Sequence, residues 1–182
     1  MIGNDFIDAE DIRNQIATRA SLRFLGLFPG SLYDYEVFDG GVLERDLQRI
    51  ERYYRARGFY QAKVRAGRVF YKSRRQIAVA VVVEEGMPSI VRRLDLHGIE
   101  GMPKAMLVRA QALVNAKVGV GMRFEEAALM TAEVELLTLL GDLGFAFATV
   151  HRAADVDLVH NSLSVGFWFQ LGALTHLGEV RI

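Results

Sequence analysis

Slid against itself by 86 positions, the sequence meets its own pattern again. "RARGFYQAKV" at 55–64 falls on "GDLGFAFATV" at 141–150, so Gly58 meets Gly144 and Val64 meets Val150. The register holds without a gap from Phe38, opposite Phe124, to Leu96, opposite Ile182. Between these ends Ile50 meets Leu136, Tyr54 meets Leu140, Val83 meets Phe169, Gly86 meets Gly172 and Ser89 meets Thr175. Upstream the spacing changes: Gly3-Asn4 fits Gly98-Ile99, 95 apart. The first copy therefore carries extra residues around "LGLFPGSLYDYEV", where Gly26, Pro29 and Gly30 mark a loop. A chain that uses one supersecondary unit twice must build its core twice, and units of this size are small but viable.

The second copy is complete and gives the order of elements. "SIVRRLDLHG" alternates at 94 and 96 and stops at Gly98, as a strand does. "PKAMLVRAQALV" has proline at a helix start and apolar residues at 106, 107, 110, 113 and 114, which is helical spacing. "FEEAALMTAEVELLTLLGDLG" opens on acids, where the helix dipole favours them, and closes at Gly144. "FAFATV" and "SLSVGFWFQLG" read as strands. The first copy repeats the order, with a helix in "DAEDIRNQIATR" capped by Asp8, a second helix from Leu43 to Arg57, and strands at 59–65 and 76–84. Only Met1-Ile2 precede Gly3, so its opening strand is truncated.

This is an α+β chain of two tandem β-α-α-β-β units. A helical hairpin returns the chain to its starting end, so the second strand runs antiparallel to the first and the third parallel to it. The simplest result is a three-stranded mixed sheet of order 2-3-1, covered on one face by the two helices. The third strands, "IAVAVVV" and "LSVGFWF", are the most apolar, as central strands should be. The second strands are left on an open edge. The expected boundaries are 1–87 for the first unit and 88–173 for the second, with 174–182 opening a further one.

Composition removes several functions. Lys plus Arg equals Asp plus Glu, 22 against 22, so the whole chain has no net field to draw nucleic acid or an anionic membrane. No cysteine is present, which excludes disulfides and thiolate metal sites. No apolar run is long enough to span a bilayer as a helix, and the start has no signal-peptide pattern. His97, His151, His160 and His176 are scattered, and Glu84-Glu85 reads as a strand end. Catalytic, cofactor and metal residues are therefore expected to be absent. The KH fold of RNA-binding proteins shares the opening order but needs a GXXG loop between its helices, and "GLFPG" and "KVGVG" do not fit.

The residues "LERDLQRIERYYRARGFYQAKV" at 43–64 and "VAVVVEEGMPSIVRRLDLHGIEG" at 79–101 resemble the POTRA (polypeptide-transport-associated) domain. A helix ends in tyrosines before Gly-Phe-Tyr, an x-x-Ala-x-Val strand follows, and Glu-Gly closes the last strand. The second copy is a degenerate echo, with leucines for the tyrosines and "QLG" for "EEG". The resemblance implies the periplasmic arm of an outer-membrane β-barrel assembly factor of the BamA and TamA type. It implies a scaffold at the periplasmic face of the bacterial outer membrane. The expected partners are unfolded outer-membrane proteins and accessory lipoproteins, with a membrane β-barrel in the parent chain. Two-partner secretion transporters carry such domains as well. "THLGEVRI" would then start a further POTRA domain, and the chain looks excised from something longer. Cell-division scaffolds carry single units, which a second full copy argues against.

Strand addition to an open edge uses backbone bonds and tolerates most client sequences. The expected edges are Phe59, Tyr60, Gln61, Ala62, Lys63 and Val64, running to Arg65, and Phe145, Ala146, Phe147, Ala148, Thr149 and Val150, running to His151. By alternation Phe147 and Trp168 would share the uncovered face as an aromatic surface, unless Trp168 is buried. Residues 49–75 hold ten Lys or Arg against one acid, Glu51. Such a stretch can meet anionic lipid or acidic partners, or simply keep an edge solvated.

Overall fold

The computed structural model describes residues 1–16, 23–24, 28–29, 39–73 and 76–175. In chain order these form α1 (Ala9–Arg13), β1 (Arg23–Phe24), β2 (Phe28–Pro29), α2 (Gly40–Arg55), β3 (Lys63–Ser73) and β4 (Gln76–Glu84). They continue as β5 (Ile90–His97), α3 (Lys104–Val118), α4 (Glu126–Asp142), β6 (Thr149–Asp157) and β7 (Ser162–Gln170). The contacts fall into two compact units, Met1–Arg55 with Gln61–Gly86, and Ala56–Tyr60 with Met87–Ile182.

In the second unit the sheet order is β5-β7-β6, with β5 parallel and β6 antiparallel to the central β7. This is the 2-3-1 order expected from the sequence. β7 alternates: Leu163, Val165, Phe167 and Phe169 are buried against the helices, while Trp168 faces away. α3 meets them with Met106, Ala110, Val114 and Val118, a single stripe at every fourth position. α4 adds Leu129, Ala132, Leu136, Leu139 and Leu140. Phe167 is fully buried at the centre, worth about 2–3 kcal/mol of transfer free energy on its own. β6 buries Val150 toward the helices, and on the same side Arg152 reaches Glu133 of α4.

The first unit keeps the plan. Asp8 caps α1, its carboxylate accepting from the Glu10 N–H at 2.7 Å. α2 buries Ile50 and Tyr54, and β3 pairs antiparallel with β4. The opening strand is one residue, Ile2, bridged in parallel to Val82. Its N–H donates to Val81 at 3.1 Å and its carbonyl accepts from Val83 at 3.0 Å. His97 on Trp168 is the same rung of the second unit.

The glycines mark the repeat in space. Gly58 and Gly144 lie at φ +85° and +90°, where a side chain is strained. The carbonyl of each accepts a 2.8 Å bond from the residue 31 positions on, Ser89 and Thr175 respectively. The turn Ala56–Tyr60 packs within the second unit. Its Ala56 carbonyl accepts from Glu126 N–H at 2.8 Å, and Tyr60 stacks on Phe124 at 6.2 Å.

Two expected strands are displaced. β3 begins at Lys63, not Phe59, and runs on to Ser73. β6 begins at Thr149, not Phe145, and runs on to Asp157. Phe59, Tyr60, Gln61 and Ala62 are therefore not edge-strand residues, and neither are Phe145, Ala146, Phe147 and Ala148. After each left-handed glycine the chain first makes a turn, closed in the second unit by Ala148 N–H on the Phe145 carbonyl at 3.0 Å. Phe59 and Ala62 are buried by packing rather than by sheet pairing. A four-residue apolar alternation reads the same in a turn as in a strand.

Candidate functional site

Among the described residues β3 pairs only with β4, and β6 only with β7. Each leaves one side of its backbone without a sheet partner, the arrangement that accepts an added strand. The two edges are not equivalent. β6 stays in register over all nine residues, from Thr149 on Gln170 to Asp157 on Ser162. β3 slips between Ala66 and Val69, leaving Gly67 and Arg68 in a bulge. A bulge bends an edge and interrupts its line of donors and acceptors. β6 is thus the better template.

The retained edge residues behave as alternation requires. Lys63 and Thr149 are exposed, while Val64 and Val150 are buried toward the helices. Lys63, Arg65 and Arg68 give β3 a basic outer surface. Arg65 meets Glu84 at 3.4 Å with both side chains mostly exposed, a pair worth little. At the positions repeating Lys63, Arg65 and Arg68, β6 has Thr149, His151 and Ala154.

Phe147 is 76% exposed, but in the turn before β6 rather than on the strand. Trp168 is 42% exposed on the sheet face opposite the helices. Its indole lies back over Gly166, where an added Cβ would come within 2.4 Å of the ring. His97 stacks on it with centroids 4.9 Å apart and planes 17° from parallel. His151 lies across from it on β6, so the row reads His97, Trp168, His151. His97→Ala is expected to uncover one side of the indole. Acrylamide should then quench the single tryptophan more steeply while the far-ultraviolet circular dichroism stays unchanged.

The sequence marks Glu85 only as a strand end, yet its carboxylate gathers three hydrogen-bond donors. It is buried, accepting from the Tyr54 hydroxyl at 2.8 Å and from the backbone N–H groups of Asp5 and Phe6 at 3.0 Å each. Burial, and then the bond and charge of Glu85, push the Tyr54 hydroxyl pKa far above its ordinary value. In the second unit the same two places hold Leu140 and Leu171. The polar pair was legible only as that contrast between copies. It ties the end of α2 and the end of β4 to the N-terminal turn.

No group of His, Cys, Asp and Glu among the described residues could hold a metal ion, and no helix among them is long and apolar enough to cross a membrane. His160 is taken up by Asp157 at 2.6 Å, and His176 lies outside the described residues. The geometry offers backbone edges and one aromatic face, which are means of binding polypeptide.

Residues 1–86 match the family model POTRA, described as surface antigen variable number repeat. Among solved structures, the POTRA3-5 fragment of Haemophilus influenzae BamA is similar at 22% identity and a TM-score of 0.50, over 94% of this chain and 64% of that one. This chain thus spans less than two thirds of that fragment. The N-terminal domain of Omp85 from Thermosynechococcus elongatus aligns at 16% identity over 87% of this chain and 55% of its own, with a TM-score of 0.45. POTRA1-2 of Anabaena Omp85 aligns at 18% over 87% and 81%, with a TM-score of 0.43. The first unit is a POTRA domain, and the second repeats its fold. The POTRA match thus covers the first unit, and the chain uses that fold twice.

Proposed function

We propose that this chain is part of the periplasmic arm of a BamA-type outer-membrane protein assembly factor. In this reading it is a scaffold rather than an enzyme. It holds unfolded outer-membrane proteins by adding their strands to its open edges, and it carries docking surfaces for accessory lipoproteins. The parent chain would supply a membrane β-barrel. The observation that carries the reading is the outer side of β6, nine residues in unbroken register with no sheet partner beyond β7 among the described residues. Strand addition there asks little of client sequence, which suits clients that share only an alternating pattern. β3, bulged and basic, would be the more selective edge.

The absence of native cysteine makes the test clean. Single cysteines placed along β6, at Thr149, His151, Ala153 and Asp155, would carry a photo-crosslinker. An unfolded barrel segment should be captured by the β6 positions several-fold better than by a cysteine at Arg109, exposed on α3. Capture spread evenly over both surfaces would show non-specific adhesion and overturn strand addition at this edge.

A further inference from the structure

The far end of the β3–β4 hairpin in the first unit carries a half-exposed apolar pair. Val69 is 49% and Phe70 52% exposed. Val69 registers with Val79 and Phe70 with Ala78. Neighbouring strand residues point to opposite faces, so the two apolar side chains leave the hairpin on opposite sides. Arg68 sits beside them in the bulge and is exposed. The sequence around them, "RVFYKSRRQI" at 68–77, holds four basic residues and no acid.

The other hairpin gives the contrast. β6–β7 also exposes an apolar pair, Leu158 and Val159, but between Asp155, Asp157 and His160. The shared fold does not require either charge pattern, since both hairpins are antiparallel and carry opposite ones.

We infer that the Arg68–Phe70 end of the first-unit hairpin binds the surface of a bilayer rich in anionic phospholipid. The bulge at Gly67-Arg68 interrupts the β3 edge for an added strand, and a protein docked on one sheet face would cover Val69 or Phe70 but not both. A medium that surrounds the tip covers both at once, and the interfacial zone of a bilayer is such a medium. Cations beside the inserted pair then meet the negative headgroups, each changing partitioning by about fivefold. This goes beyond client binding and does not depend on it.

The test is co-sedimentation of the whole chain with vesicles of equal parts phosphatidylglycerol and phosphatidylcholine, and with phosphatidylcholine alone. Binding is expected to the first and not the second, and to fade as salt shortens the screening length. Arg68→Gln with Lys72→Gln should lower the partition coefficient about 25-fold, two fivefold steps combined. Phe70→Ser should lower it roughly fivefold or more. Leu158→Ser in the other hairpin should leave it unchanged and reports on the fold at the same time. Equal binding to both vesicles, or full binding by the Arg68 and Phe70 variants, would overturn the inference. So would capture by polyglutamate with the same Arg68 dependence while vesicles are ignored, which would make the tip a reader of acidic polypeptide.

Discussion

Glu85→Ala will melt the first unit well below the second. The change strips the Tyr54 hydroxyl and the N–H groups of Asp5 and Phe6 of their shared acceptor. Hydrogen bonds to a charged group contribute about 1.5–3 kcal/mol each, so a net loss of about 3 kcal/mol is a modest expectation. For a domain this small about 4–8 °C of melting temperature goes with each kcal/mol, which gives a fall of roughly 12–24 °C. The chain supplies its own probes: Trp168 reports the second unit, and Tyr53 and Tyr54 lie in the first. Tyrosine absorbance should shift while tryptophan emission melts as before. Tyr54→Leu with Glu85→Leu copies the second unit's leucines and should cost less than the sum of its parts. The raised Tyr54 pKa adds a pH dependence. Its contribution is complete below the ordinary value of 10.0 and is lost as pH climbs above it, so the first unit should weaken in strong alkali. Tyr54→Phe should remove that alkaline loss. A single melting transition shared by both probes in Glu85→Ala would refute the local role of the carboxylate.

Gly98→Ala is expected to loosen the second sheet more than any surface change in the chain. The backbone there is at φ +73°, and an added Cβ would sit 2.2 Å from the Phe169 carbonyl oxygen. The left-handed conformation costs about 1–2 kcal/mol with a side chain, and relieving an overpacked contact typically another 1–3. The obstacle is backbone of the central strand, so relief means drawing the end of β5 away from β7. Trp168 fluorescence should report a lower melting temperature, and amide exchange should quicken along β5 first. Gly3→Ala makes the same contact, 2.4 Å from the Val83 carbonyl at φ +82°, but anchors only the Ile2 bridge. Its cost should be smaller. Equal costs at the two sites would show that the strain, not the strand it holds, decides the outcome.

The repeat made the topology legible. Once the two copies were aligned, the hairpin of helices and the parallel first and last strands left one simple sheet order, and the second unit has it. Strand limits were not legible. Phe59-Tyr60-Gln61-Ala62 alternates like a strand, yet the positive φ of Gly58 commits the chain to a turn before pairing can start. The far ends were missed for the opposite reason: "AGRVFYKS" and "RAADVD" do not alternate cleanly, because a bulge and an exposed acidic tip disturb the period. The aromatic face was half legible. Parity placed Trp168 on the uncovered side, but its stacking on His97 depends on a cross-strand register that no local pattern encodes. Glu85 looked like a turn residue because its partners lie 31 and about 80 positions away along the chain.

The parallel seating of β5 beside β7 has a mechanical consequence. The second unit's sheet begins at Ile90 and ends at Gln170, and these ends belong to neighbouring strands that run the same way. Tension applied along the polypeptide would try to slide one strand past the other. Every rung between Ile90 and His97 would then bear load together, whereas a hairpin such as β6–β7 opens one rung at a time. In the first unit the corresponding clamp is the pair of bonds made by Ile2. Under such tension the second unit would be stiff and the first compliant.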